Sequence, residues 1–165
     1  MKRTVSCLLA LLMLVGLLPA PWGTAKVKAA GSNLLVNGGF EETASASGWT
    51  NNLAPAGWTR YVFTGSPAFS VDSTVAHTGQ HSVRLDAAST SRGTVFQQTG
   101  VEVGKTYRIS GWMKTENVSG KGLVRIQAGR TSGGNLLVNM AEATGSKDWF
   151  YFEHEIGMWI TQSCG

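Results

Sequence analysis

The chain has 165 residues, a formal net charge of +4 and a calculated pI near 9.3. Lys2, Arg3, Lys26 and Lys28 carry that excess, and without them ten basic residues face ten acidic ones. Binding to a phosphate backbone rests on net or clustered positive charge, so nucleic acid is set aside as a partner.

Lys2 and Arg3 precede an apolar run at 5–18, which Pro19 and Pro21 break. A basic start, a short apolar stretch and small residues before a cut predict a secretory signal peptide over 1–29, cleaved after Ala29 or Ala30. The 14-residue run is shorter than the ~20 residues of a membrane-spanning helix. A secreted or extracellular protein, cell surface included, is therefore expected, with no membrane insertion after cleavage. The remaining 136 residues match the size of one domain. They hold one cysteine, Cys164, so no internal disulfide forms and stability rests on core burial or a bound ion. A lone thiol near the end of the chain can also pair between molecules.

The full chain has 21 glycines and 4 prolines; with no long helical period, its mature part reads as short strands between turns rich in Gly, Ser, Asn and Thr. Strands are predicted at 33–36, 58–63, 68–71, 81–86, 94–98, 106–114, 123–128, 136–140 and 149–156. The small, polar stretch 43–56 is predicted as a loop. NLLVN occurs at 33–37 and again at 135–139, which is read as two strands of similar character. Many short strands favour an all-β sandwich or jelly roll.

The period of two assigns faces. In 106–114, Tyr107, Ile109, Gly111 and Met113 form the apolar face, opposite Thr106, Arg108, Ser110, Trp112 and Lys114. In 123–128, Val124, Ile126 and Ala128 oppose Leu123, Arg125 and Gln127. In 149–156, Phe150, Phe152 and Ile156 oppose Trp149, Tyr151, Glu153 and Glu155. Two of these polar faces hold large aromatic rings.

Three segments in fixed order carry a family signal: NLLVNGGFEE at 33–42, AHTGQHSVRL at 76–85 and VEVGKTYRISGWMKTENVSGKG at 101–122. Together they resemble the CenC-like carbohydrate-binding modules, the family 4/9/16/22 type with a galactose-binding-like jelly roll. The resemblance covers 33–156. It implies a module at 30–156 that binds a polysaccharide without cleaving it.

A pyranose presents an apolar face to an aromatic ring and a rim of hydroxyls to polar groups. The residues expected to supply both are Trp112, Arg125, Gln127, Tyr151 and Glu153, supported by Arg108, provided that the three strands neighbour one another in one sheet. Trp112 is either this stacking platform or partly buried packing covered by an arginine stem. Trp58 is read as core, and Trp49 either rims a binding site or caps the sandwich.

In the family, a structural calcium joins the first and last strands. The resemblance places its ligands at Glu41, the Gly39 carbonyl and Thr78, oxygen donors that suit calcium. The chain departs from the family in lacking the aspartate of the final strand. His77 and His81 lack a third zinc ligand and read as solvated turn histidines. Glu153 and Glu155, about 7 Å apart on one strand face, come without a glycosidase motif and read as ordinary surface carboxylates.

Residues 157–165, GMWITQSCG, depart from the family's closing strands, so a truncated end is expected. Two alternatives to the binding module stand beside it. One is the N-terminal piece of a glycoside hydrolase or polysaccharide lyase; the other is a structural or adhesion sandwich without a sugar ligand.

Overall fold

A long antiparallel ribbon and three shorter strand pairs make up the computed structural model, which describes residues 31–129 and 135–158. The predicted signal segment, Cys164 and all of the tail after Met158 lie outside the described residues. In chain order the strands are β1 (Thr43–Ser45), β2 (Leu53–Pro55), β3 (Thr59–Thr64), β4 (Ala68–Asp72), β5 (Ser82–Asp86), β6 (Arg92–Phe96), β7 (Thr106–Gly129) and β8 (Asn135–Gly157). A single 3-10 turn, Thr50–Asn52, precedes β2. The chain is all-β, as its composition and periodicity implied.

Each strand pairs antiparallel with one partner: β1 with β2, β3 with β6, β4 with β5 and β7 with β8. The expected segments 106–114 and 123–128 are two stretches of one strand, β7, and 136–140 and 149–156 are likewise joined in β8. The polar, glycine-containing residues between them resemble turns in composition. The ribbon absorbs them as register shifts between Met113 and Thr115, around Val118 and before Gly122. Bulges of this kind let a strand bend without ending.

Two further segments differ from expectation. Stretch 33–36 is not a strand, because its main-chain groups bond to side chains. Gln97 Oε1 accepts from the Val36 amide at 2.8 Å, while Gln97 Nε2 donates to the carbonyls of Val36 and Gly57, each at 3.1 Å. One carboxamide thus takes the place of a neighbouring strand. The second copy of NLLVN does lie in β8, so the two copies differ in structure. Conversely, the predicted loop 43–56 contains the β1–β2 hairpin.

The core sits where the short pairs meet. Trp49, Ala54 and Phe69 are buried together, with Ala46, Val62 and Val95 against them. Trp49, 6% exposed, caps this cluster; its ring lies tilted at 5.8 Å from that of Phe69. Trp58 is half-buried, packs on Phe40 at 5.0 Å and donates its indole N–H to the Asn37 carbonyl at 3.1 Å. Gly93 of β6 faces the Phe69 ring so closely that a Cβ there would lie 2.6 Å from Cζ.

Phe69 is 1% exposed, and removing a fully buried phenyl ring costs about 3–5 kcal/mol. Phe69→Ala should lower the urea midpoint by that amount of stability at an unchanged slope, measured by equilibrium denaturation.

Candidate functional site

Register places Trp112 of β7 directly opposite Tyr151 of β8, Ser110 opposite Glu153 and Arg108 opposite Glu155. All lie on the outward face of the ribbon, as the period of two required. The rings of Trp112 and Tyr151 are 5.4 Å apart, and Trp112 is 46% and Tyr151 50% exposed. Glu153 accepts a hydrogen bond from the Tyr151 hydroxyl at 2.5 Å, which fixes the phenol ring from its polar end. At the end of this patch Lys114 bonds Asp148 at 2.7 Å, and that bond is the main cause holding the Asp148 carboxyl below its usual range. The result is two large rings set among a guanidinium, an ammonium, hydroxyls and carboxylates.

Arg125 and Gln127 do not join this patch. They pair with Asn139 and Leu137 at the other end of the ribbon, where Arg125 Nε donates to Asn139 Oδ1 at 2.8 Å. Segment 123–128 therefore continues 106–114 and does not lie beside it, so their polar faces are displaced along the ribbon axis.

His77 completes the patch and is packed, in contrast to the solvated turn histidine that its sequence context predicts. Its imidazole lies flat on the Trp112 indole, with centroids 3.7 Å apart and planes at 16°, and Trp149 meets it edge-on at 5.7 Å. His77 is half-buried, and its Nδ1 is buried with no hydrogen-bond partner among the described residues. Only the long-range packing of the turn onto the ribbon brings it there, so neither spacing nor periodicity marks it.

That turn is held by carboxylates at both ends. After β4, Asp72 Oδ1 accepts from the Thr74 amide and hydroxyl at 2.8 and 2.7 Å and from the Val75 amide at 3.1 Å. Before β5, both Glu41 oxygens accept from the Gln80 amide at 3.1 Å, and Oε1 accepts from His81 N at 3.3 Å. His81 Nδ1 lies 3.3 Å from Glu41 Oε2, an ion-pair distance without a hydrogen-bond direction. Gly79, at φ +70°, admits this carboxylate; a Cβ there would fall 2.1 Å from Oε1. The Gln80 amide bond, then those of His81 and its charge, hold the Glu41 carboxyl below its ordinary value of 4.5.

The model of a carbohydrate-binding domain family, of the 4/9 type, matches residues 32–159. The chain belongs to this family. Comparison with curated proteins finds no match. The fold of the carbohydrate-binding domain is a β-sandwich jelly roll, and its ligand class is carbohydrate. Domains of this kind are typically non-catalytic. Among the described residues no helix is long and apolar enough to cross a membrane.

The residues that the resemblance assigned to calcium lie together, but their donors do not fit the ion. Gly39 and Thr78 line a small cavity of about 140 Å³ walled largely by the rings of Phe40, His77, Trp112 and Trp149. Calcium takes six to eight oxygens. Here the Glu41 carboxylate is met by main-chain N–H donors, whose positive ends oppose a cation. No group of three or more His, Cys, Asp or Glu among the described residues could hold a metal.

A carboxyl with a lowered folded value stabilises above its unfolded value and ceases to do so as pH falls through the folded one. Glu41→Gln should therefore melt below the wild type at neutral pH. The gap should close as pH drops below 4.5, as read from melting temperatures across an acid series.

Proposed function

We propose that the Trp112–Tyr151 face binds a polysaccharide non-catalytically and so targets a secreted or cell-surface protein to it. The observation that carries this reading is the cross-strand pair of exposed rings, Trp112 at 46% and Tyr151 at 50%. Trp and Tyr join a large apolar ring to a polar tip and are enriched on surfaces that a partner covers. With His77 against one face of the indole, the exposed area of Trp112 is offered to one side only. A sugar ring can stack there while Tyr151 meets the next one.

Hydroxyls of the sugar need donors and acceptors in fixed directions. Arg108 and Lys114 supply donors, Ser110 supplies both, and Glu153 supplies a carboxylate oxygen beside that bonded by Tyr151. Each contact is modest because the face is open to water, and such a surface binds a long chain by repeating weak contacts. Export is supported by the basic-then-apolar leader at 1–29.

Retention of the mature chain in affinity gels containing a panel of soluble polysaccharides tests this. Trp112→Ala and Tyr151→Ala should each weaken retention on the preferred glycan by about tenfold, on the order of 1.4 kcal/mol. Arg125→Ala, at the far end of the ribbon, should leave it unchanged. Equal retention of wild type and Trp112→Ala would move the site off this face.

A further inference from the structure

Trp112 stands on an open strand face, and its partner across the ladder does not fix the plane of its ring. Tyr151 meets it tilted, at 54° with centroids 5.4 Å apart. Among the described residues, the ring that lies flat against the indole is that of His77, at 3.7 Å and 16°.

His77 is itself held from two directions. Trp149 meets it edge-on at 5.7 Å and 68°. The turn that carries it, between β4 and β5, is tied at three points. Asp72 Oδ1 accepts from the Thr74 and Val75 amides, and the Ser82 hydroxyl donates to the Val75 carbonyl at 2.7 Å. The Glu41 carboxylate accepts from the Gln80 and His81 amides, the tie nearest to His77 in the chain.

What His77 offers Trp112 is a flat surface. Its Nδ1 is buried with no hydrogen-bond partner among the described residues, so that nitrogen anchors the ring to nothing. A phenyl ring offers the same surface. Both His77 and Trp112 line the cavity of about 140 Å³ beside Phe40 and Trp149. Truncating His77 enlarges that cavity, and the indole then has room to tip into it. A side chain that must be ordered on binding costs affinity, whereas one already held in its bound orientation does not.

We propose that His77 is a positioning residue of the sugar platform: it clamps the Trp112 indole in the orientation that a sugar ring meets, and Glu41 sets the clamp through the turn. The proposal rests on the reading of the Trp112–Tyr151 face as the binding surface.

Affinity electrophoresis of the mature chain in gels containing hydroxyethylcellulose, xylan or pectic galactan tests it, beside proton NMR of the Trp112 ring. On the glycan that retards the wild type, His77→Ala should raise the dissociation constant about three- to tenfold, the worth of one aromatic stack. His77→Phe should bind within about twofold of the wild type, and His77→Leu, of similar bulk but not flat, should not. Glu41→Gln should weaken retention on its own and add nothing in the His77→Ala background, a double-mutant cycle. Without any glycan, the Trp112 ring protons should be shifted upfield by the stacked ring in the wild type and in His77→Phe, and not in His77→Leu. A role in stability alone would lower melting temperatures without separating the Leu and Phe variants in affinity. If His77→Ala fails to fold, those two variants decide. Wild-type retention in His77→Leu while Trp112→Ala loses it would overturn the proposal and leave the platform standing. Additive effects of Glu41→Gln and His77→Ala, or no ring shift in the wild type, would also overturn it. Retention that survives in Trp112→Ala would remove the platform itself, so the two failures are told apart.

Discussion

A carboxylate that takes hydrogen bonds from main-chain N–H groups of a distant segment holds the two at a fixed separation, and Glu41 does this for the platform. It belongs to the segment before β1, and its acceptors meet the amides of Gln80 and His81 just before β5. The tie is possible because Gly79 leaves room for the carboxylate. The turn so anchored carries His77, and His77 lies on Trp112. An acidic residue near the start of the domain thus governs how an indole on β7 is presented. The donor set at Glu41 supplies this mechanical tie.

The ribbon supplies the other half of the platform through register alone. Trp112 and Tyr151 face one another because β7 and β8 pair without slippage from Thr106 to Met113. A one-residue slip of β8 against β7 would carry Tyr151 to the inner face and leave Trp112 on the outer one, and a slip of β7 would do the reverse. The inward residues Tyr107, Ile109, Met113, Phe150, Phe152 and Ile156 oppose such a slip, since they would be turned into water. Apolar burial on one face therefore specifies the geometry of the polar face behind it.

Much of this was legible in the sequence, and the part that was not has a common cause. Side-chain alternation is a local property, so the inward and outward sets of 106–114, 123–128 and 149–156 were read correctly, and the three motifs pointed to the family that the match over 32–159 shows. Which strands lie side by side depends on pairing, and polar, glycine-containing residues inside β7 and β8 imitate turns. That is why Arg125 and Gln127 were grouped with Trp112 although the ribbon separates them. Stretch 33–36 has a strand-like composition but finds a carboxamide in place of a strand. The stacking of His77 on Trp112 was not legible because it is assembled from distant segments, and a turn histidine is a commonplace local signal.

The clasp at Gln97 has a consequence for the ageing of the protein. Its Nε2 donates to two carbonyl oxygens while its Oε1 accepts from the Val36 amide. Hydrolysis of that side chain to a carboxylate would turn the donor into an acceptor facing both carbonyls, and three oxygens would then repel at one point. The segment 33–36 has no backbone ladder to fall back on and would then lean on the Thr99 hydroxyl at the Leu34 carbonyl and on the Asn37 side chain that ties the next residue to Glu42 and Ala56. The loss of one ammonia molecule would thus remove three of the bonds that hold this segment to the body of the domain.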